Sequence, residues 1–140
     1  MIILDTNVLA ELMRPEPSTQ VVAWVAKQSS TEIYTTSITE AEIFFGIELL
    51  TKSKRREQLL AAAEAMFAED FADRTFGFDS DAARVFARVA AARRSIGRPI
   101  SHPDAQIVAI AQARRAAVAT RNVADFEQCG VKVINPWTAS

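Results

Sequence analysis

Ile2-Ile3-Leu4-Asp5-Thr6-Asn7 is the stretch from which the fold reads outward. Consecutive apolar residues at 2–4 suit a strand buried on both faces, the habit of parallel sheets whose two sides are covered by helices. The run ends abruptly in polar residues, so Asp5 falls at the carboxyl end of that strand. Ile33 to Thr36, Arg74 to Phe78, Ala117 to Thr120 and Val131 to Ile134 read as further strands.

Helical patterns lie between them. Ser18 precedes Val21, Val22, Trp24 and Val25, after the break made by Pro15 and Pro17. Ser37-Ile38-Thr39-Glu40 matches a capping box and predicts a helix through about Leu50. Another runs from about Lys54 to Ala68. Asp79-Ser80-Asp81 opens a third, which stops near Gly97-Arg98-Pro99. Ser101-His102-Pro103-Asp104 opens the last, with a capping serine, a first-turn proline and an acid at the third helical position. Strands alternating with helices predict an α/β fold around a mostly parallel sheet.

The 140 residues suit one domain spanning the whole chain, residues 1–140, and 49% hydrophobic against 24% charged residues predicts a folded protein. Apolar runs such as Ile107 to Ala111 fall far short of the roughly 18 residues a membrane helix needs. No basic leader precedes Asp5, so no secretory signal is expected. The single cysteine, Cys129, fits a reducing cytoplasm. A net charge of −1 gives no global attraction to nucleic acid. Two basic clusters, Lys52, Lys54, Arg55 and Arg56, and Arg84, Arg88, Arg93, Arg94 and Arg98, read as solvated helix faces.

In open α/β sheets, ligands bind beyond the carboxyl ends of the strands. Asp5 lies there, as does the turn from Arg121 to Asp125, and right-handed crossovers bring Glu42 and Asp104 to the same edge. Glu42 has Ile38, Thr39, Phe45 and Gly46 as helical neighbours, an apolar setting that explains it poorly as a surface residue. Glu40 is assigned to the capping box, and Glu48 lies close to the polar end of the helix. Clustered carboxylates repel one another unless a divalent cation neutralises them, and oxygen ligands favour magnesium or manganese. One histidine and one cysteine offer no zinc set. Capping alone also accounts for Asp104 and strand termination for Asp5. His102 lacks a partner for a general-base role. Thr6, Asn7 and Thr120 can orient a water or ligand, though capping explains them equally well. Trp24, Trp137 and the phenylalanines read as core.

Ile2 to Asn7, Thr39-Glu40-Ala41-Glu42-Ile43 with Gly46, and Pro103-Asp104-Ala105-Gln106-Ile107 together resemble PIN-domain nucleases. Within that family the chain is similar to VapC-type toxins and FitB proteins, through Ala119-Thr120-Arg121-Asn122 to Asn135-Pro136-Trp137. The resemblance implies a three-layer α/β/α sandwich and an acid cluster that binds Mg2+ or Mn2+ to cleave RNA. It assigns Asp5, Glu42 and Asp104 as catalytic and metal-holding acids. Asn122 stands where many members carry a fourth catalytic aspartate. Asparagine keeps an oxygen ligand and loses the charge. Asp125 either reaches the pocket or caps a short helix beginning at Phe126, and the capping reading is preferred. Membership further implies a homodimer and a cognate antitoxin, whose basic side chain enters the acidic pocket.

Rival readings are a PIN-like nuclease of RNA processing or structured DNA, and a binding module whose chemistry is weakened, for which Asn122 is the hint. Receiver domains and haloacid-dehalogenase phosphatases fit poorly, because both want a second acid close behind Asp5 where Asn7 stands.

Overall fold

The computed structural model describes residues 1–139. Five strands, β1 (Ile2–Leu4), β2 (Ile33–Thr36), β3 (Thr75–Phe76), β4 (Ala117–Ala119) and β5 (Val133–Ile134), form one sheet in the order β3-β2-β1-β4-β5, and every pairing is parallel. Six helices flank it: α1 (Thr6–Leu12), α2 (Thr19–Lys27), α3 (Ser37–Glu48), α4 (Lys54–Ala65), α5 (Ser80–Ser95) and α6 (His102–Ala113).

Alternation along β1 divides the core. Ile3 joins Val118, Ile107, Val108 and Phe126 under α5 and α6, whereas Leu4 joins Val8, Leu9, Val21 and Ile43 under α1 to α3. Each of these apolar side chains contributes about 1.5–3 kcal/mol by leaving water. The chain leaves β1 toward β2 and later returns on its other side as β4. β1 is therefore the switch point, and open α/β sheets bind their ligands beyond the carboxyl ends of the strands at such a point.

Several boundaries differ from the sequence reading. No helix is expected directly after Asp5, yet α1 begins at Thr6, because Asp5 caps it and Val8 and Leu9 lie buried beneath it. The cap of α3 is Thr36, not Ser37: strand φ/ψ persists through Thr36, and its hydroxyl accepts the Thr39 N–H at 3.1 Å. The helix expected to reach Ala68 stays α-helical to Ala65, then widens into a π-helical turn over Met66–Asp70. Asp79 caps α5, which stops before Gly97 at φ +74°, a conformation open to glycine without steric cost. Ser101 caps α6, and Asp104 is its third residue.

Trp24 is core, as expected, but Phe45 is 63% exposed. Among the described residues no helix is long and apolar enough to cross a membrane.

Candidate active site

Asp5 ends the central strand and is 4% exposed. Each of its carboxylate oxygens has a donor: the Thr6 N–H reaches Oδ1 and the Thr120 hydroxyl reaches Oδ2, both at 2.8 Å. Burial pushes its carboxyl from 3.8 up to about 6, against the opposing pull of the Thr120 and Thr6 hydrogen bonds; Asp104 and Glu42 add like-charge repulsion.

Thr120 has its hydrogen-bonding capacity filled. It donates to Asp5 and accepts the Asn7 amide at 3.2 Å and the Asn122 backbone N–H at 3.1 Å. Asn7 also accepts the Arg121 N–H at 3.2 Å. One asparagine thus joins the first turn of α1 to the end of β4 and orients the hydroxyl that holds Asp5.

Glu42 reaches the site by a different route from the one its sequence neighbours suggest. It is exposed, and so are Phe45 and Gly46, whereas Thr39 is buried and Ile38 packs against the core, so Glu42 projects to the surface from the edge of a buried stripe. What directs it is Thr6, whose hydroxyl donates to Glu42 Oε1 at 2.7 Å. Thr39 lies 3.1 Å from the Thr6 oxygen and 3.5 Å from that of Thr36. A hydroxyl carries one proton, and an ionised carboxylate only accepts, so the chain of donation runs Thr36, Thr39, Thr6, Glu42.

Asp104 is half-buried in the first turn of α6. Its carboxyl is raised by burial, lowered by the Ser101 hydrogen bond, raised by Asp125 and Glu42, and lowered by Arg93. Asp125 and Glu42 therefore bear on Asp104 as Asp104 and Glu42 bear on Asp5. Carboxylates from the end of β1, from α3, from α6 and from the connection after β4 share one negatively charged region.

That connection corrects a further expectation. A 3-10 turn covers Val123–Phe126, so Asp125 sits inside it and caps no helix starting at Phe126. Phe126 is fully buried and anchors the turn. Asn122 precedes it, and its backbone N–H is committed to Thr120. His102 packs edge-on against Phe86 at 5.5 Å between ring centroids.

Arg93 escapes the sequence reading, which places it on a solvated face; it is 4% exposed. The chain does carry a signal for it. Ala82, Val85, Val89 and Arg93 form one buried stripe of α5, and the arginine occupies the next position along it.

The donor set is all oxygen, which suits a hard cation. Among the described residues no three candidate ligands close around one point. Magnesium keeps several of its waters and takes one or two carboxylates, so an open set of this kind suits it. Asp5, Asp104 and Glu42 are the oxygen donors on offer at this edge of the sheet, without three of them meeting at one point.

A doubly covered parallel sheet with acids gathered at its switch point places the chain in a class of α/β proteins. The PIN-domain family profile matches residues 2–131, and the chain belongs to that family. It is 40% identical over 139 residues to a plasmid stability protein, StbB, of Pseudomonas syringae pv. tomato, covering 99% of this chain and 100% of that one. It is 39% identical over 137 residues to the VapC ribonuclease Y4jK of Sinorhizobium fredii, covering 98% of each. The crystal structure of FitAcB from Neisseria gonorrhoeae matches with a TM-score of 0.93 at 35% identity, covering 99% of this chain and 100% of that one.

Proposed function

We propose that this protein is a metal-dependent endoribonuclease that acts as the toxin of a toxin–antitoxin pair. The observation that carries the reading is Asp5: a buried carboxylate at the switch point, held by a donor on each oxygen and set against like charges from α3 and α6. Its relatives support the reading, one named a VapC ribonuclease for the reaction and another, of Neisseria gonorrhoeae, named Toxin FitB for the toxin role.

In this reading Asp5, Asp104 and Glu42 hold Mg2+ or Mn2+. When bound, such a cation supplies an activated water and offsets charge developing on a phosphodiester. Thr120 and the Thr6 N–H keep Asp5 in one rotamer, and the threonine relay does the same for Glu42, so neither carboxylate must reorganise during reaction. Residues 1–140 form one domain working in the cytoplasm, as a homodimer held by an antitoxin whose basic side chain enters the acidic pocket.

The test is cleavage of single-stranded RNA by the chain purified free of any antitoxin, with magnesium present. Cleavage that requires the metal and vanishes in Asp5→Asn is the expected result. No cleavage, or cleavage undiminished by that substitution, sinks the reading.

A further inference from the structure

The connection from β4 to β5 carries Asn122 and Asp125, and its shape is set by one side chain from another layer. Arg93, on α5, donates through Nη1 to the main-chain oxygens of Asp125 at 2.9 Å and Glu127 at 3.0 Å and to Cys129 Sγ at 3.1 Å. Its Nε donates to the Arg98 oxygen at 2.7 Å. Among the described residues it makes no ion pair. Arg98 adds a second, exposed tie, to the Ala124 oxygen at 3.3 Å and to the Glu127 carboxylate at 3.6 Å.

A buried cation with only neutral partners is costly, since several kcal/mol of hydration are lost without a countercharge in contact. Surface loops ordinarily satisfy their carbonyls with water or with their own N–H groups at far lower cost. Here the cation is spent on the segment that packs its 3-10 turn against α6, the helix that bears Asp104. The guanidinium is suited to this role because two of its nitrogens donate at once, Nε to the Arg98 oxygen and the two hydrogens of Nη1 to the group formed by the Asp125 and Glu127 oxygens and Cys129 Sγ, which the single nitrogen of an ammonium cannot do.

We propose that Arg93 is a positioning residue for the active site: by clamping the main chain at Asp125 and Glu127 and the Cys129 side chain it holds the Asn122–Asp125 corner against α6. It touches no reacting group itself; Arg93→Lys keeps the positive charge that also bears on Asp104, so that substitution isolates the action through Asp125. This inference rests on the ribonuclease reading for its catalytic half, while the clamp itself stands on geometry.

The experiment compares the full chain with Arg93→Lys and Arg93→Gln, by amide hydrogen exchange and by steady-state RNA cleavage with magnesium. In Arg93→Lys, exchange should rise about tenfold or more at residues 121–130 and stay unchanged in the central strands. Its kcat should fall about tenfold to a hundredfold with KM changed less than about twofold, the mark of misplacement rather than lost binding. Introduced into Asp125→Asn, where the group to be positioned has lost its charge, the same substitution should cost less than about twofold. An unchanged loop, faster exchange spread evenly over the whole molecule in both variants, or a full kcat loss in the Asp125→Asn background overturns the proposal. If the unmodified chain cleaves no RNA, the nuclease reading has failed, and localised exchange still decides the clamp.

Discussion

Two corners of the acidic site are built in opposite ways. Asp5 stands at the end of the central strand, and its donors sit on neighbours that are themselves fixed, Thr120 ending β4 and Thr6 starting α1. The corner at Asn122–Asp125 hangs on the connection to the two-residue edge strand β5 and is tied by main-chain oxygens to one guanidinium from α5. In the middle of a sheet, position follows from strands on both sides. At its rim a side chain from another layer must supply it, because loops lack supporting neighbours of their own.

The sharpest way to break this contrast is Asp5→Asn, for which RNA cleavage should fall about 10^3-fold in single-turnover assays. A loss under tenfold there would move the centre of the site away from β1.

The second largest effect concerns pH. The Asp5 carboxyl titrates at about 6 in the folded chain and at 3.8 once unfolded, so the folded state binds more protons between those values. Stability of the metal-free protein should therefore fall as pH rises from 4 to 6, by about 2 kcal/mol of a total of about 3 kcal/mol for the full titration. Asp104, also raised, adds in the same direction. Denaturant midpoints read across that window check it, and Asp5→Asn should flatten most of the slope. Excess magnesium should restore stability at neutral pH by binding the ionised folded form.

Thr120→Val sharpens the same corner. It removes the donor to Asp5 Oδ2 and leaves the Asn7 amide without its acceptor, at a cost of about 2 kcal/mol. Thermal unfolding measures this, and Ser at the position should recover most of it. A neutral valine would mean that the Asn7 and Thr120 bonds do not hold Asp5.

The smallest effect separates the two residues of the rim corner. Asp125→Asn should lower cleavage about tenfold and Asn122→Ala by less than about threefold, because Asp125 is the residue whose charge reaches Asp104. The reverse order would transfer the fourth position to Asn122.

Much of this arrangement is legible in the chain. Apolar residues 2–4 ending at Asp5 mark a buried parallel strand, and Ser101 with Pro103 places Asp104 in a first helical turn; both patterns are local and depend on few residues. Glu42 is found for an inexact reason. Its sequence neighbours suggest core, whereas Thr6, 36 residues away, is what directs it. Asp125 reads as a cap because a short 3-10 turn leaves no periodic signal.

The sequence by itself determined the alternation of strands and helices, the layered α/β class and which acids end those elements, because hydrophobic period and capping chemistry are written in consecutive residues. Only the tertiary structure decided which donors hold each carboxylate, that Asp125 shares the charge at Asp104, and that Arg93 is buried. These depend on contacts such as Thr120 with Asp5, 115 residues apart, and Arg93 with Glu127, 34 apart. No local pattern encodes such a distance. The packing of α5 and α6 on the sheet turns an arginine that looks solvated in sequence into the brace of an active-site corner.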